Sequence, residues 1–487
     1  MSKEIRNLEP KVLWNNFADL NEIPRPSKRE HRAIEFAKNF GHSLGLETIV
    51  DEIGNVIIKK PATPGMEDRT PVILQGHLDM VPQKNSDSTH DFDKDGIDMY
   101  IDGDWVKARG TTLGADNGIG VAAGMSVLMS KDIAHPPLEV LLTMDEETGM
   151  TGAMQLKPGL LNGKIMLNLD SEDDDEMTIG CAGGIDIVVD STYLEDNIEE
   201  NEIGFELFVS GLTGGHSGMD INLYRGNANK IINRILWQCN NEFGIGISSI
   251  DGGSLRNAIP RESKAIISVI KSKADDLERL VKALIPQILN EFKTTDPDLK
   301  IDLSLIDLEG YVMRGEAVTN LLNSIYSCWN GVYRMSPDVK GLTQTSNNLA
   351  RVKIGGGEIR IENLSRSSIE SEKLDLAYTI KSTFLLAGYS VSLEGGYPGW
   401  QPDVNASINK VMKEIYKNNF GEDPHITACH AGLECGLIKE KYPDCDMISF
   451  GPNIRGPHSP DEKVQISSVQ KFWKLLKDTL ANIPVYK

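Results

Sequence analysis

The chain is 487 residues long, more than one hydrophobic core accommodates, and its 40% hydrophobic, 25% charged and 6% aromatic composition excludes bulk disorder. Its 71 acidic against 50 basic residues leave a net charge of −21, which repels phosphate backbones and excludes nucleic acid as an expected partner. Cys181, Cys239, Cys328, Cys429, Cys435 and Cys445 show no Cys-x-x-Cys spacing, residues 1–8 lack the apolar run of a signal peptide, and no window has membrane-spanning length, so a soluble cytoplasmic protein is expected.

In chain order, Ser27-Lys28-Arg29-Glu30 reads as a capping box, followed by a helical face of Ile34, Phe36, Ala37 and Phe40 that ends at Gly41. Apolar runs at 72–74, 138–144 and 164–169 predict buried strands. Between the first two, the Gly- and Ala-rich stretch 118–129 predicts a helix packed closely on a sheet, which gives an α/β layer fold. From about Asp186 the pattern changes. Strands are expected at 203–209, 263–270 and 299–308, and helices at 228–238 and 274–292, the latter kinked at Pro286. A second set follows, with helices at 316–329 and 369–386 and strands at 348–354, 358–361 and 389–393, so the inserted region reads as two similar halves. The last stretch returns to α/β texture and ends in a helix near 469–480.

Ionisable residues follow three of the apolar runs. The first ends in Gln75-Gly76-His77-Leu78-Asp79, the second in Asp145-Glu146-Glu147 and the third in Asn168-Leu169-Asp170. Asp116 lies among glycines in Gly114-Ala115-Asp116-Asn117-Gly118, which lacks the Gly-Lys-Ser/Thr of a phosphate loop. His458 sits in a Pro/Gly-rich loop near the end of the chain. Asp145 reads as part of a solvated loop, and the acidic run 172–176 as a solvated face. Ligands of open α/β sheets gather beyond the carboxyl ends of the strands. Crowded carboxylates there need a cation, and histidine with carboxylate donors but no thiolate suits Zn²⁺, with Co²⁺ or Mn²⁺ as substitutes.

On these residues the chain resembles the M20 family of co-catalytic zinc peptidases, and within it the Xaa-His dipeptidase subgroup. The stretches that carry the resemblance are QGHLDMV, GTTLGADNGIG, DEETGM, NLDSED, GGHSG, HAGLECG and GPNIRGPHSP, spread from Gln75 to Pro460. The resemblance implies a discontinuous three-layer catalytic domain (residues 1–185 and 395–487) and an inserted α+β lid and dimerisation domain (186–394). It implies two Zn²⁺ per subunit. His77 and Asp170 would bind one ion, Glu147 and His458 the other, and Asp116 both, with a cis peptide expected at Asp116-Asn117. Asp79 would orient His77. Glu146 would be the general base, taking a proton from the bridging water and passing it to the leaving amine of a dipeptide.

His216 resembles the lid histidine that stabilises the oxyanion, which in some family members comes from the partner subunit. Asn257 resembles the lid asparagine near the substrate carbonyl. Arg366 would bind the substrate carboxylate and Glu434 its free ammonium. A homodimer through the lid is expected, although a doubled lid also suits a monomer. The rival readings are an N-acyl-amino-acid amidohydrolase, a non-catalytic metal-binding protein on the same scaffold, and a serine hydrolase using Ser217, which lacks the Gly-x-Ser-x-Gly elbow.

Overall fold

The computed structural model describes residues 4–486. The chain divides into two compact units. One comprises the chain up to Gly180, with Trp400–Ala428 and Leu433 onward; the other comprises Cys181–Gly399 with Cys429–Gly432. Among the described residues, no helix is long and apolar enough to cross a membrane.

The first unit is built on an eight-stranded sheet. Its order is Glu47–Val50, Val56–Lys60, Leu138–Thr143, Val72–His77, Ile165–Asn168, Asp446–Ser449, Glu176–Cys181 and His425–Cys429. Leu138–Thr143, Val72–His77, Ile165–Asn168 and Asp446–Ser449 run parallel. The first three of these are buried along their whole length, which explains their unbroken apolar runs. From Val72–His77 the chain crosses to Leu138–Thr143 on one side, then back over to Ile165–Asn168 on the other. That reversal opens a crevice at the carboxyl ends of the strands.

Helix Ala115–Met129 provides the first crossing and is almost entirely buried. A Cβ at Gly124 would already lie 3.1 Å from Val140 Cγ1, so small residues let the helix approach the sheet. Helix Lys11–Asn21 packs over it through Trp14 and Phe17, and helix Ile466–Ala481 adds Phe472 and Leu476 to the same core.

The expected capping box does not form. Helix His31–Ser43 has no side-chain cap. Ser27 Oγ donates instead to Met80 O at 3.3 Å, and Glu30 Oε1 accepts Asp145 N at 2.8 Å.

The second unit carries a nine-stranded sheet and its own core of Ile, Leu and Val side chains. The sheet is doubled. Glu202–Ser210, Gly246–Gly252, Ser263–Ile270 and Lys300–Ile306, taken as strands one to four of a half, lie in the order four-one-three-two. Gly183–Thr192, Thr343–Gly355, Glu358–Ser367 and Val391–Tyr397 repeat that order in mirror sequence, two-three-one-four. The halves meet where Gly246–Gly252 pairs antiparallel with Thr343–Gly355.

The second half thus takes its first strand from before the first half, a strand absent from the sequence reading. Helix Ala274–Phe292 runs through Pro286 as one helix. Strands Thr343–Gly355 and Glu358–Ser367 extend well past their apolar stretches, because their polar ends pair with each other: Thr345 Oγ1 meets Ser367 Oγ at 2.8 Å, and Ser365 Oγ donates to Asn347 Oδ1 at 2.9 Å.

Candidate metal centre

The side chains of the centre come from the ends of buried strands, from the start of one helix and, for His458, from the loop between strands Ile454–Arg455 and Lys463–Gln465. His77 is the last residue of Val72–His77, and Asp170 follows Ile165–Asn168 by two residues. Asp116 opens helix Ala115–Met129, where its backbone and that of Asn117 are non-helical and the bond between them is cis, as the resemblance implies. The surrounding glycines make room for two specific groups. A Cβ at Gly76 or Gly120 would lie 2.3 or 2.4 Å from Asn117 Oδ1, and one at Gly114 or Gly118 would lie 2.5 or 2.7 Å from Arg25 Nη2. Asn117 in turn donates its Nδ2 to Leu169 O at 2.6 Å, tying the helix start to the segment that carries Asp170.

The side chains form two groups that share Asp116. His77 Nε2 lies 3.1 Å from Asp116 Oδ1 and 3.4 Å from Asp170 Oδ1. His458 Nε2 lies 2.9 Å from Glu147 Oε2 and 3.5 Å from Asp116 Oδ2. In each trio the ligand-capable atoms lie within 4.8 Å of one another. One oxygen of Asp116 therefore faces each histidine.

Burial works against a charged His77, but Asp170, Asp116 and Asp79 outweigh it and raise its pKa well above the usual range. Hydrogen bonds to Asp116 and Glu147 push His458 up to about 11. Asp170 is pushed up to about 6 by burial, with Asp116 and Glu147 adding to the effect and His77 opposing it. Asp170 Oδ1 is buried and accepts no hydrogen bond. A buried cluster of carboxylates that draws protons onto its histidines has the chemistry of a site for divalent cations, whose binding displaces such protons.

Behind the trios, Asp79 is fully buried. Its Oδ1 lies 3.4 Å from His77 Nδ1, while its two oxygens accept the amides of Glu146 at 3.0 Å and Glu147 at 3.3 Å. One carboxylate thus orients a histidine and holds the segment that carries both glutamates. Burial raises the Glu146 carboxyl well above its usual range, and Asp170, Glu434 and Glu147 reinforce this against His77.

Asp145 is not solvated. It is buried, adopts φ 49°, and accepts the hydroxyls of Thr148 and Thr151. Nor is the run 172–176 a free face, since Asp173 pairs with Arg455 at 2.5 Å and Asp174 with Lys471 at 2.8 Å.

Glu434 belongs to the same unit and is buried. Its Oε2 accepts Gln75 Nε2 at 2.6 Å and Thr143 Oγ1 at 2.7 Å, whereas its Oε1 has no partner. Burial pushes its carboxyl up to about 7.

His216, Asn257 and Arg366 lie in the second unit. His216 Nδ1 accepts the amides of Gly218 at 3.2 Å and Met219 at 3.1 Å, which leaves the proton of the neutral ring on Nε2. Burial and the charge of Arg366 lower its pKa, keeping that ring neutral. Asn257 is exposed and adjoins His216, because Gly215–His216 pairs with Ala258–Ile259 and Asn257 O accepts Ser217 N at 2.8 Å. Arg366 is buried and donates to Tyr397 Oη at 2.6 Å, with its Nε unpartnered. Ser217 is buried and its hydroxyl makes no hydrogen bond, unlike a nucleophile activated by a neighbouring base.

Sequence reasoning missed two residues beside Asp116. The guanidinium of Arg25, fully buried, donates to Leu78 O, Asp79 O and Gly114 O at 3.1, 3.0 and 2.6 Å. Burial lowers it to about 10, against the pull of Glu462, Asp79 and Asp116. Glu462 is buried as well and accepts backbone amides of segment 113–116. The available signals were an arginine between two prolines and a glutamate four residues after His458.

The sequence profile described as Peptidase family M20/M25/M40 matches residues 73–482. The cytosol non-specific dipeptidase of Escherichia coli (strain K12) is 44% identical over 484 residues, covering 99% of both chains. The crystal structure of aminoacylhistidine dipeptidase from Vibrio alginolyticus matches with a TM-score of 0.95 at 43% identity, over 100% of this chain and 99% of that one. Aminopeptidase PepT from Bacillus cereus ATCC 10987 shares the fold, with a TM-score of 0.57 at 15% identity over 98% of this chain and 99% of that one.

Proposed function

The chain belongs to peptidase family M20, and from that premise we propose that it is a cytoplasmic, zinc-dependent dipeptidase that hydrolyses unblocked dipeptides, Xaa-His among them. The observation that carries this reading is the shared carboxylate, since Asp116 presents one oxygen to His77 and the other to His458. His77, Asp116 and Asp170 would hold one ion, and Asp116, Glu147 and His458 the other. When bound, a pair of divalent cations polarises a peptide carbonyl and lowers the pKa of a shared water.

The chain's own residues supply the remaining functions. Glu146, beside Glu147 and outside both trios that share Asp116, takes a proton from the attacking water and delivers it to the leaving amine nitrogen. Asp79 keeps His77 and the Glu146-Glu147 segment aligned. His216 donates its Nε2 hydrogen to the developing oxyanion, a role that the tautomer described above fits. Asn257 supports the substrate carbonyl, and the Arg366 fork binds the terminal carboxylate.

The unpartnered Glu434 oxygen favours a substrate that brings a cation. It therefore favours a free amino terminus over the N-acylated substrate of an amidohydrolase.

The inserted unit exposes Tyr326, Tyr378, Leu385 and Leu386 on its helices, and a homodimer through this unit is expected. Light scattering should return twice the chain mass of 53.6 kDa.

The primary test is hydrolysis of Ala-His by metal-free enzyme, before and after Zn²⁺ is restored. Turnover should return with zinc and fall about 10²–10⁴-fold in Glu146→Gln with metal still bound. Absence of turnover at full zinc occupancy would leave the non-catalytic reading. Glu434→Ala should raise KM for dipeptides more than for N-blocked analogues, and an equal rise would sink the ammonium assignment.

A further inference from the structure

His458 is held by neither a strand nor packing. Its side chain is 55% exposed, and its backbone is left-handed at φ 59°. It rides at the tip of a hairpin whose strands, Ile454–Arg455 and Lys463–Gln465, pair at Ile454↔Val464 and Arg455↔Lys463. Glu462 stands at the base of that hairpin and is 2% exposed.

Its carboxylate is saturated by four consecutive amides. Oε2 accepts Leu113 N at 2.7 Å and Gly114 N at 2.9 Å, and Oε1 accepts Ala115 N at 2.8 Å and Asp116 N at 3.2 Å. The carbonyls of the same segment are held from elsewhere, Leu113 O by Asn21 Nδ2 at 2.9 Å and Gly114 O by Arg25 Nη2 at 2.6 Å. Beside the core packing of Leu113 and Ala115, the polar constraints on the approach to Asp116 are directional, and its amide side depends on one residue of the hairpin that carries His458. Within that hairpin, Glu462 N donates to Ser459 O at 3.0 Å, which links the anchor back towards the tip.

We propose that Glu462 is a positioning residue for the metal pair: it locks the backbone of the shared ligand Asp116 to the hairpin carrying His458, so that the two are placed as one piece. The inference rests on the two-metal reading above. It assigns Glu462 selectively to the ion held by Asp116, Glu147 and His458. The other ion keeps His77 and Asp170, which come directly off sheet strands.

Glu462→Gln preserves size but replaces one acceptor oxygen by an NH₂ group that faces amide donors, leaving two backbone N–H groups unpaired. The test is stepwise Zn²⁺ uptake by the metal-free full chain, with His458→Ala and Asp170→Ala identifying the two steps. In Glu462→Gln the step lost in His458→Ala should weaken about tenfold or more relative to the other, as removal of an outer ligand-orienting group does elsewhere. Glu462→Asp, which keeps two acceptor oxygens on a stem one carbon shorter, should recover part of that ratio. If Glu462→Gln does not fold, Glu462→Asp is read by the same titration. Equal weakening of both steps, as a merely structural role would give, or no weakening, overturns the proposal while the metal reading stands. Fewer than two ions in the wild-type chain overturns both.

Discussion

Buried carboxylates around Asp116 differ in what reaches their oxygens. Asp79 and Glu462 are filled by backbone amides, so their charge is spent on orienting backbone. Glu434 keeps a buried oxygen without a partner, and Asp170 Oδ1 has only His77 Nε2, 3.4 Å away, which is costly unless another species arrives. The proposed arrivals are a divalent cation at Asp170 and a substrate ammonium at Glu434.

His430 in the second unit is the opposite case. Burial, aided by Arg366 and His216, holds it down at about 3. Between about 3 and the ordinary 6.5 the unfolded chain binds a proton that the folded chain refuses, so stability rises with pH across this window and levels off above it. The slope from this one group reaches about 1.4 kcal/mol per pH unit. Denaturation midpoints of His430→Gln should therefore depend less on pH in that window than those of the wild type. An unchanged slope would remove His430 as the cause.

The residues that gather at the centre were visible in the sequence because each follows an apolar run or sits in a glycine cluster. Glu462 was not, because its four partners lie some 346 to 349 residues away and are backbone atoms that leave no sequence pattern.

Among the elements, helix Ala115–Met129 is limited by how closely it lies to its neighbours. A Cβ at Gly120 would sit 2.6 Å from Leu169 O, a backbone atom one residue before Asp170. Gly120→Ala should cost about 1–3 kcal/mol in denaturant unfolding, as overpacking does. It should also weaken metal uptake at the Asp170 step. Gly124→Ala meets only Val140 side-chain carbons, the nearer at 3.1 Å, and gains helix propensity, so a smaller cost is expected. Equal costs would show that backbone crowding is not the constraint.

Element type was legible where apolar periodicity runs the length of an element, as in Ser263–Ile270 and Ala274–Phe292, found at the expected bounds. It failed where polar side chains do the packing. The buried ends of Thr343–Gly355 and Glu358–Ser367 carry Thr, Ser and Asn that satisfy one another, which no hydrophobic pattern reports. Ser27 and Glu30 have the spacing of a capping box but bond to Met80 and Asp145, an instance of tertiary partners overriding a local motif.

For the whole molecule, the family and the α/β class followed from the sequence, whereas the strand Gly183–Thr192 did not, because its partners come from residues 358–367 and 391–397. That strand has a consequence for the order in which the chain can close. The topology is a parenthesis within a parenthesis. The first unit opens and waits for Asp446–Ser449 to enter between Ile165–Asn168 and Glu176–Cys181. Inside it, Gly183–Thr192 opens and waits for Glu358–Ser367. Only the innermost span, Glu202–Ser210 to Lys300–Ile306, contains all four of its strands without interruption. A growing chain emerging at about 5–20 residues per second can therefore complete its sheets only from the inside outward. In refolding followed by pulsed hydrogen exchange, amides of Glu202–Ser210 and Ser263–Ile270 should gain protection before those of the late-entering strand Asp446–Ser449. The proposed metal centre, whose strands are early but whose His458 arrives only with the last segment, is then the last structure to be completed, and no partly made chain can hold a finished one.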